Sequence, residues 1–262
     1  MEEIRNEPCS DREDRISRLE DALIHYILSF IDPKYAVQTS VLSKRWIDIW
    51  KSLTFLSFYR SSFSQDKKDS FVMFVDMVFI FRRKDIDVQR FRLDWSDSAY
   101  DDSVTVHVNR WCLNAIGYNV QEVRILITQF YNSAYEFPHR LFNCKSLRML
   151  VIEVCGNARY VDVILPRSMN LPQLKVLAYC GLSISGVEFS KSLFPSCPVL
   201  ETLHVVDFDI HNDKGRNLIV VFLSALRSLS MLLDIFCSKM IVWLTLSNYL
   251  LQIWQHSLGD FS

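Results

Sequence analysis

The apolar residues near the start of the chain recur with the period of an α-helix. The four that mark this spacing are Leu19, Leu23, Ile27 and Ile31. With Ile24 and Leu28 in the neighbouring row they form one broad apolar stripe, which predicts a helix from about Leu19 to Ile31. The Asp32-Pro33 pair ends this helix, because proline disfavours the helical conformation of the residue before it.

Two shorter helices are predicted next. The first runs from about Tyr35 to Leu42, and the second follows Ser43 as its N-cap and holds Trp46 and Trp50. Helices this short have a thin core, and two large aromatic residues exceed what that core needs. One interpretation is a docking module in which the tryptophans are interface anchors. The other is a small helical cap that packs on the rest of the chain.

Further along, the apolar pattern changes to a repeat. The template apolar-x-x-Leu-x-apolar begins at residues 147, 174, 200 and 226, so its spacings are 27, 26 and 26 residues. Looser matches begin at Val88 and Val123. A fixed period of this length is typical of a leucine-rich solenoid, in which each unit contributes a short strand. The alternative is a chance spacing of leucine-rich strands in some other fold.

In such a repeat, the residues between the leucines point to the concave face. The predicted positions are Ile125, Ile127, Gln129, Met149, Val151, Glu153, Val176, Ala178, Cys180, Thr202, His204, Val206, Ser228, Ser230 and Leu232. This set is small, apolar and almost uncharged, which suits an apolar partner or a small ligand. We expect Met149, Val151, Val176, Thr202 and His204 to contact a target protein. The alternative is that loops or a capping helix cover this face.

The regions around the repeat have distinct compositions. Residues 1–13 are predicted to be disordered, because almost none of them is apolar. Residues 71–83 are apolar nearly all round and predict a buried helix. Beyond residue 231 the repeat ends in an apolar tail that predicts an improvised helical cap or a truncated end. Its stretch from Met240 to Trp254 also leaves a membrane tether open.

Composition excludes several classes of function. The 262 residues are 50% hydrophobic with a net charge of −1, so no basic excess favours nucleic acid. The seven cysteines have no paired spacing, and the six histidines have no metal-ligand spacing. Cys144 and Cys197 each precede a repeat by three residues, which favours a place in its core over catalysis. We expect no catalytic residues, no metal and no cofactor.

The N-terminal helices resemble an F-box of the form found in plant F-box proteins with leucine-rich repeats. The matching residues are Asp14-Arg15-Ile16-Ser17, Leu19, Asp21, Leu23, Ile27-Leu28-Ser29, Ala36-Val37, Thr39-Ser40, Leu42-Ser43-Lys44-Arg45-Trp46 and Trp50. One position departs from the family pattern, because Glu20 stands where the family has proline in Leu-Pro-Asp. Glutamate suits the helix dipole there, but it lacks the conformational restriction of proline.

The resemblance implies a fold and a function. The implied fold is an α+β or α/β solenoid in which a three-helix F-box precedes a leucine-rich-repeat array with a short parallel sheet. The predicted boundaries are F-box 14–55, linker and capping helix 56–86, repeats 87–235 and atypical tail 236–262. Relatives of this kind often carry further repeats and a C-terminal domain.

The implied role is that of an intracellular substrate receptor, nuclear or cytoplasmic, in an SCF-type ubiquitin ligase. Its partners would be a Skp-type adaptor, a cullin reached through that adaptor, and an unidentified target protein. The predicted adaptor-facing residues are Leu19, Leu23, Ile27, Leu42, Trp46 and Trp50. A plain binding protein without ubiquitylation remains the alternative, with the departure at Glu20 weakening adaptor docking.

Overall fold

A computed structural model describes residues 16, 18–96, 103–128, 135–155, 161–164, 166, 168–185, 194–206, 209–211, 217–221, 228–232 and 240–244. The helices are α1 Asp21–Leu28, α2 Pro33–Gln38, α3 Lys44–Lys51, α4 Lys68–Phe81 and α5 Ser103–Gly117, with a helical turn at Phe194–Ser196. The strands are β1 Phe55–Tyr59, β2 Arg90–Ser96, β3 Glu122–Thr128, β4 Tyr135–Glu136, β5 Met149–Cys155, β6 Val161–Ile164, β7 Val176–Cys180, β8 Leu182–Ser185, β9 Thr202–Val206, β10 Asp209–His211, β11 Asn217–Val221, β12 Ser228–Leu232 and β13 Met240–Leu244.

The main sheet contains seven parallel strands in the order β1-β2-β3-β5-β7-β9-β12. A second parallel sheet, β10-β8-β6-β4, is built from strands that each follow a strand of the main sheet, and β11 pairs with β13. The prediction of helices followed by a parallel sheet is therefore confirmed. The strands of this second sheet were not predicted.

Strand pairing corrects the repeat register in β3. Val123, and not Leu126, lies opposite Leu150, so this repeat begins at Val120. Ile125 and Ile127 are consequently fully buried, and their predicted place on the outward face is wrong. The same register extends backward to Val88 and Leu53. The six starting residues that the structure describes are all buried, namely Leu53, Val88, Val120, Leu147, Leu174 and Leu200.

The first three helices, which we call the helical unit, pack apolar side chains against one another. Ile24 and Leu28 of α1, Ala36 of α2, and Trp46 and Ile49 of α3 are buried together. Polar contacts also join α1 to α3. Arg45 Nη2 lies 2.6 Å from Asp21 Oδ1.

The ends of the helices follow local signals. The Asp32 side chain accepts a 2.7 Å hydrogen bond from Lys34 N, and Pro33 occupies the first position of α2. Ser43 precedes α3 in an extended conformation, as predicted for an N-cap, but its side chain makes no capping hydrogen bond. The second predicted helix is shorter than expected, since a 3₁₀ turn at Thr39–Val41 replaces its last turn.

Helices α4 and α5 pack an aromatic core against the inner face of the main sheet. Phe71 of α4 has its ring centroid 5.4 Å from that of Trp95 and 5.8 Å from that of Trp111. The Trp111 indole donates a 2.7 Å hydrogen bond to Asp76 Oδ1, which joins α5 to α4. Helix α4 lies where a buried helix was predicted, but only one of its faces is buried. The other exposes Met73, Met77, Ile80 and Phe81. Helix α5 was not predicted.

Two buried arginines donate hydrogen bonds to backbone carbonyl groups before and after β1. Arg82 donates hydrogen bonds to Leu53 O at 3.0 Å and Ile86 O at 3.1 Å, and its guanidinium lies 4.1 Å from the Tyr118 ring centroid. Burial lowers the pKa of Arg82, a shift that Tyr118 and Asp87 oppose. Arg60 donates to three carbonyl groups of the turn after β1. One hydrophobic cluster runs from Ile24 through to the repeats.

The apolar tail differs from the prediction where the structure describes it. Residues Met240–Leu244 form strand β13 and not the start of a helix, so a helical cap or membrane span beginning at Met240 is wrong. Residues 245–262 and the predicted disordered segment 1–13 lie outside the described residues. Among the described helices, none combines the length and the apolar character needed to cross a bilayer.

Candidate functional site

The helical unit carries a dense set of exposed apolar side chains, which we call the apolar helical surface. Its members are Leu23, Tyr26, Ile27, Phe30, Ile31, Tyr35, Val41 and Leu42. Val41 is 86% exposed, Phe30 71% and Leu42 63%. Tyr26 and Phe30 make an edge-to-face ring contact at 4.9 Å. Several large apolar side chains exposed on one small helical unit are typical of an interaction surface.

The predicted adaptor-facing residues divide into two groups. Leu23, Ile27 and Leu42 belong to the apolar helical surface, and Leu19 is partly buried against the core. Trp46 and Trp50 are only 7% and 9% exposed, which contradicts their prediction as exposed interface anchors. The amphipathic pattern of α3 directs both rings into the core of the helical unit. Tyr26, Phe30, Tyr35 and Val41 were missed as surface residues. The spacing of Leu23, Tyr26, Ile27 and Phe30, at i, i+3, i+4 and i+7, is that of one helical face and was the available signal.

The second candidate surface is the outward face of the main sheet, which we call the open face. The inner face is the one that α4 covers, since Phe58, Phe91 and Trp95 contact aromatic rings of that helix. The capping helix therefore does not cover the open face. The open face comprises Phe55, Ser57, Tyr59, Arg90, Arg92, Asp94, Glu122, Arg124, Leu126, Thr128, Met149, Val151, Glu153, Val176, Ala178, Cys180, Thr202 and His204.

The five target-contact candidates all lie on the open face. Strand pairing places Met149, Val176 and Thr202 in one row, and Val151 and His204 in the next. His204 is exposed, whereas Val151 is 9% exposed and presents little surface to a partner. Gln129 lies outside the described residues, as do the side chains of β12.

The prediction of an almost uncharged open face is wrong for β3, and it did not include β2. Corrected for register, β2 and β3 contribute Arg90, Arg92, Asp94, Glu122 and Arg124. Two ion pairs connect neighbouring strands. Arg90 Nε lies 2.7 Å from Glu122 Oε2, and Arg124 Nη2 lies 2.6 Å from Glu153 Oε1. The open face is thus charged on β2 and β3 and at Glu153 of β5, and it is uncharged on β1 and β7.

Potential nucleophiles and metal ligands have other roles in the described part of the chain. Cys197 is buried, which raises the pKa of its thiol to about 12, so the thiolate is scarce near neutral pH. Cys144 is also buried, and its Sγ lies 3.2 Å from Ser146 Oγ. His25 Nε2 lies 3.1 Å from Ile49 O and 3.0 Å from Ser52 Oγ, joining α1 to the end of α3. The described residues contain no cluster of three or more candidate metal ligands.

Comparison with known protein families supports the division into helical unit and sheet. The F-box domain family matches residues 16–58. The family described as "FBD-associated F-box protein At5g56370, LRR repeats" matches residues 108–246, which is more than half of the chain. The first match covers the helical unit and most of β1. The second begins within α5 and covers the strands that follow.

Relatives from Arabidopsis thaliana are similar over most of the chain. FBD-associated F-box protein At4g10400 is 33% identical over 208 residues, which cover 79% of this chain and 48% of the relative. F-box protein At4g09920 is 32% identical over 225 residues, covering 86% of this chain and 67% of the relative. F-box/LRR-repeat protein 13 is 29% identical over 197 residues, covering 75% of this chain and 42% of the relative. The chain thus spans about half the length of most of these relatives. It belongs to the plant F-box/leucine-rich-repeat family.

Proposed function

We propose that this chain is a substrate receptor of an SCF-type ubiquitin ligase. The helical unit acts as a three-helix F-box that docks a Skp-type adaptor and through it a cullin, and the repeats wind as a leucine-rich solenoid that holds a target protein. The observation that carries the proposal is the apolar helical surface, because exposed apolar residues are costly in a soluble unit unless a partner covers them. The chemistry of ubiquitin transfer would then belong to other subunits.

The junction between the helical unit and the main sheet suits the role of a substrate receptor. Lys34 Nζ donates a 2.8 Å hydrogen bond to Ser62 O, and Arg83 N donates one of the same length to Lys51 O. Together with the bond from Arg82 to Leu53 O, these bonds connect α2 to the turn after β1, and connect α3 and the segment before β1 to the end of α4. A receptor must hold its target at a fixed place relative to the docked adaptor, and a rigid junction meets that need.

Leu42→Ser is expected to weaken binding of a purified Skp-type adaptor about tenfold while leaving the fold intact. Leu42 is 63% exposed, so the change removes interface area and leaves no cavity. Isothermal titration calorimetry on the full chain measures the affinity. The matched control is Ile80→Ser, since Ile80 is 61% exposed on α4, outside the apolar helical surface. Equal affinities for both variants and the native chain would contradict the assignment of the docking surface.

Glu20→Pro is expected to raise the free energy of unfolding by about 0.4–1 kcal/mol. Glu20 has φ −64° and ψ 147°, which a proline adopts without strain, and its side chain makes no capping hydrogen bond. Proline restricts the unfolded chain and so lowers the entropy lost on folding. Chemical denaturation measures the change. A decrease in stability would show that the backbone at residue 20 does not tolerate proline.

The alternative function is a binding protein that holds a target without ubiquitylation. The observation in its favour is Glu20 itself, which departs from the Leu-Pro-Asp pattern at the start of the F-box. Adaptor pull-down with the native chain and with Glu20→Pro separates the two functions. Binding by both supports the receptor, and binding by the proline variant alone supports the alternative.

A further inference from the structure

A second row of exposed apolar side chains lies on α4, outside the helical unit. Its members, which we call the α4 stripe, are Met73, Met77, Ile80 and Phe81. They follow one another at i, i+4, i+7 and i+8, so they share one face of the helix. Each is between 42% and 61% exposed, whereas the opposite face of α4 packs against the aromatic core of the main sheet. The stripe is therefore available to a partner.

The α4 stripe is symmetric about its middle. Met73 and Ile80 are equally far along the chain from the midpoint between residues 76 and 77, and Met77 lies beside that midpoint. If two copies of α4 pack antiparallel about a twofold axis there, Met73 of each copy meets Ile80 of the other, and the two Met77 side chains meet each other. The stripe is thus complementary to a second copy of itself.

Two charges near the ends of α4 have the same symmetry. Asp69 in the first turn and Lys84 just beyond the last turn are both exposed, and they too are equally far along the chain from the midpoint. Neither forms an ion pair with any other residue that the structure describes. Antiparallel packing brings Asp69 of each copy towards Lys84 of the other, whereas parallel packing brings like charges together. The charges therefore favour the antiparallel arrangement.

The other charges near the two ends of α4 are already balanced or directed elsewhere. Arg83 is paired with Asp85. Lys68 is directed towards α5, where its Nζ donates a 2.9 Å hydrogen bond to Ser103 Oγ. The adjacent Asp66-Lys67 pair has no net charge. Asp69 and Lys84 are consequently the charges that remain to meet a second copy.

The area of the α4 stripe sets the strength of such a contact. Its four side chains expose roughly 450 Å² on each copy, so mutual burial removes about 900 Å² from water before the flanking residues are counted. Interfaces of about 1,000 Å² are typical of reversible complexes and not of permanent dimers. We therefore expect a dissociation constant on the order of 10 µM.

We propose that the chain forms a reversible homodimer in which the α4 stripes of two copies pack antiparallel about a twofold axis beside Met77. The two pairs of Asp69 and Lys84 flank the apolar contact and fix its direction. The apolar helical surface takes no part in this contact. Each copy in the dimer accordingly keeps its own surface for the adaptor.

The first test is sedimentation velocity of the full chain between about 1 and 200 µM, a range that spans the expected dissociation constant. We expect a concentration-dependent shift from monomer to dimer. Met77→Asp should weaken the dimer at least about tenfold, because it places two carboxylates together at the axis. The matched control is Ile27→Asp, which adds the same charge to a 46% exposed position of α1 and should leave the dimer unchanged. Circular dichroism checks that both variants are folded.

The second test uses charge reversal to fix the direction of packing. Asp69→Lys and Lys84→Asp should each weaken the dimer about fivefold, because each places like charges together at both ends of the contact. The double variant restores opposite charges and should return to within about twofold of the native affinity. Parallel packing predicts no such recovery.

Three results would overturn the proposal. The first is a chain that sediments as a monomer at every concentration, including one that instead binds vesicles of phosphatidylserine and phosphatidylcholine through Met77. The second is a dimer that Met77→Asp leaves intact or that Ile27→Asp disrupts equally. The third is a double charge-reversal variant that is no stronger than either single variant.

Failure of this contact and failure of the proposed function give different results. Adaptor binding depends on the apolar helical surface, so Met77→Asp should retain the native affinity for the adaptor. A chain that dimerises as described but does not bind the adaptor keeps this inference and loses the ligase role. A monomeric chain that binds the adaptor keeps the ligase role and loses the dimer.

Discussion

Trp46→Ala is expected to lower the free energy of unfolding by about 3–5 kcal/mol. Trp46 is 7% exposed and contributes to the cluster that also contains Ile24, Leu28 and Trp50. Removing the indole leaves a cavity in a unit of three short helices that has few other apolar residues with which to fill it. Chemical denaturation followed by circular dichroism measures the loss.

Leu42→Ser is the control for this measurement, because Leu42 lies in the same helical unit but is exposed. It should change stability by less than about 0.5 kcal/mol while weakening the adaptor complex. If Trp46→Ala were as stable as the native chain and only its adaptor affinity fell, Trp46 would be an interface anchor after all. The two variants together separate the core of the helical unit from its docking surface.

Gly181→Ala is expected to destabilise the protein by at least about 3 kcal/mol. Gly181 links β7 to β8 with φ +72°, a conformation that residues with a side chain rarely adopt. A Cβ atom there would lie 1.8 Å from Val154 O of the neighbouring repeat, so the backbone of β5 or of the turn has to move. Differential scanning calorimetry should show a clear fall in Tm.

Gly117→Ala provides the comparison for this second prediction. Gly117 is the last residue of α5, and a Cβ atom there would have no other atom within 4 Å. Alanine should be neutral there or slightly stabilising, because it restricts the unfolded chain. Equal Tm values for the two alanine variants would show that the turn at Gly181 relaxes at little cost.

Local sequence patterns were sufficient to predict much of the fold. The period of the repeats placed Leu147, Leu174 and Leu200 at equivalent buried positions, because each strand must direct the same alternate residues into the core. The second helix was predicted two residues too late, at Tyr35, because Pro33 was interpreted only as the end of the first helix, whereas it occupies the first position of α2. Helix α5 escaped prediction, although its buried residues Val104, Val108, Trp111, Cys112 and Ala115 have helical spacing.

The pattern of apolar residues was not sufficient to predict which residues lie on the candidate surfaces. The resemblance to an F-box named Leu23 and Ile27 as adaptor-facing, and both are exposed on the helical unit. Two equally apolar tryptophans in α3 lie in the core instead, because burial depends on which face of a helix meets its neighbours. In the same way, the observed register of β3 differs from the predicted one by three residues. Ile125 is therefore buried and Arg124 exposed, since successive side chains alternate between the two faces of a strand.

The sequence by itself therefore determined the order of the protein's parts, the repeat period, and the residues that fill the repeat core from Leu147 onward. These features depend on the spacing of apolar residues along the chain, which can be recognised without knowing any tertiary contact. Only the tertiary structure decided that Trp46 lies in the core and that Arg92 lies opposite Arg124 in the sheet. Both facts arise from contacts between segments that are distant in the chain, and no local pattern records which segments meet.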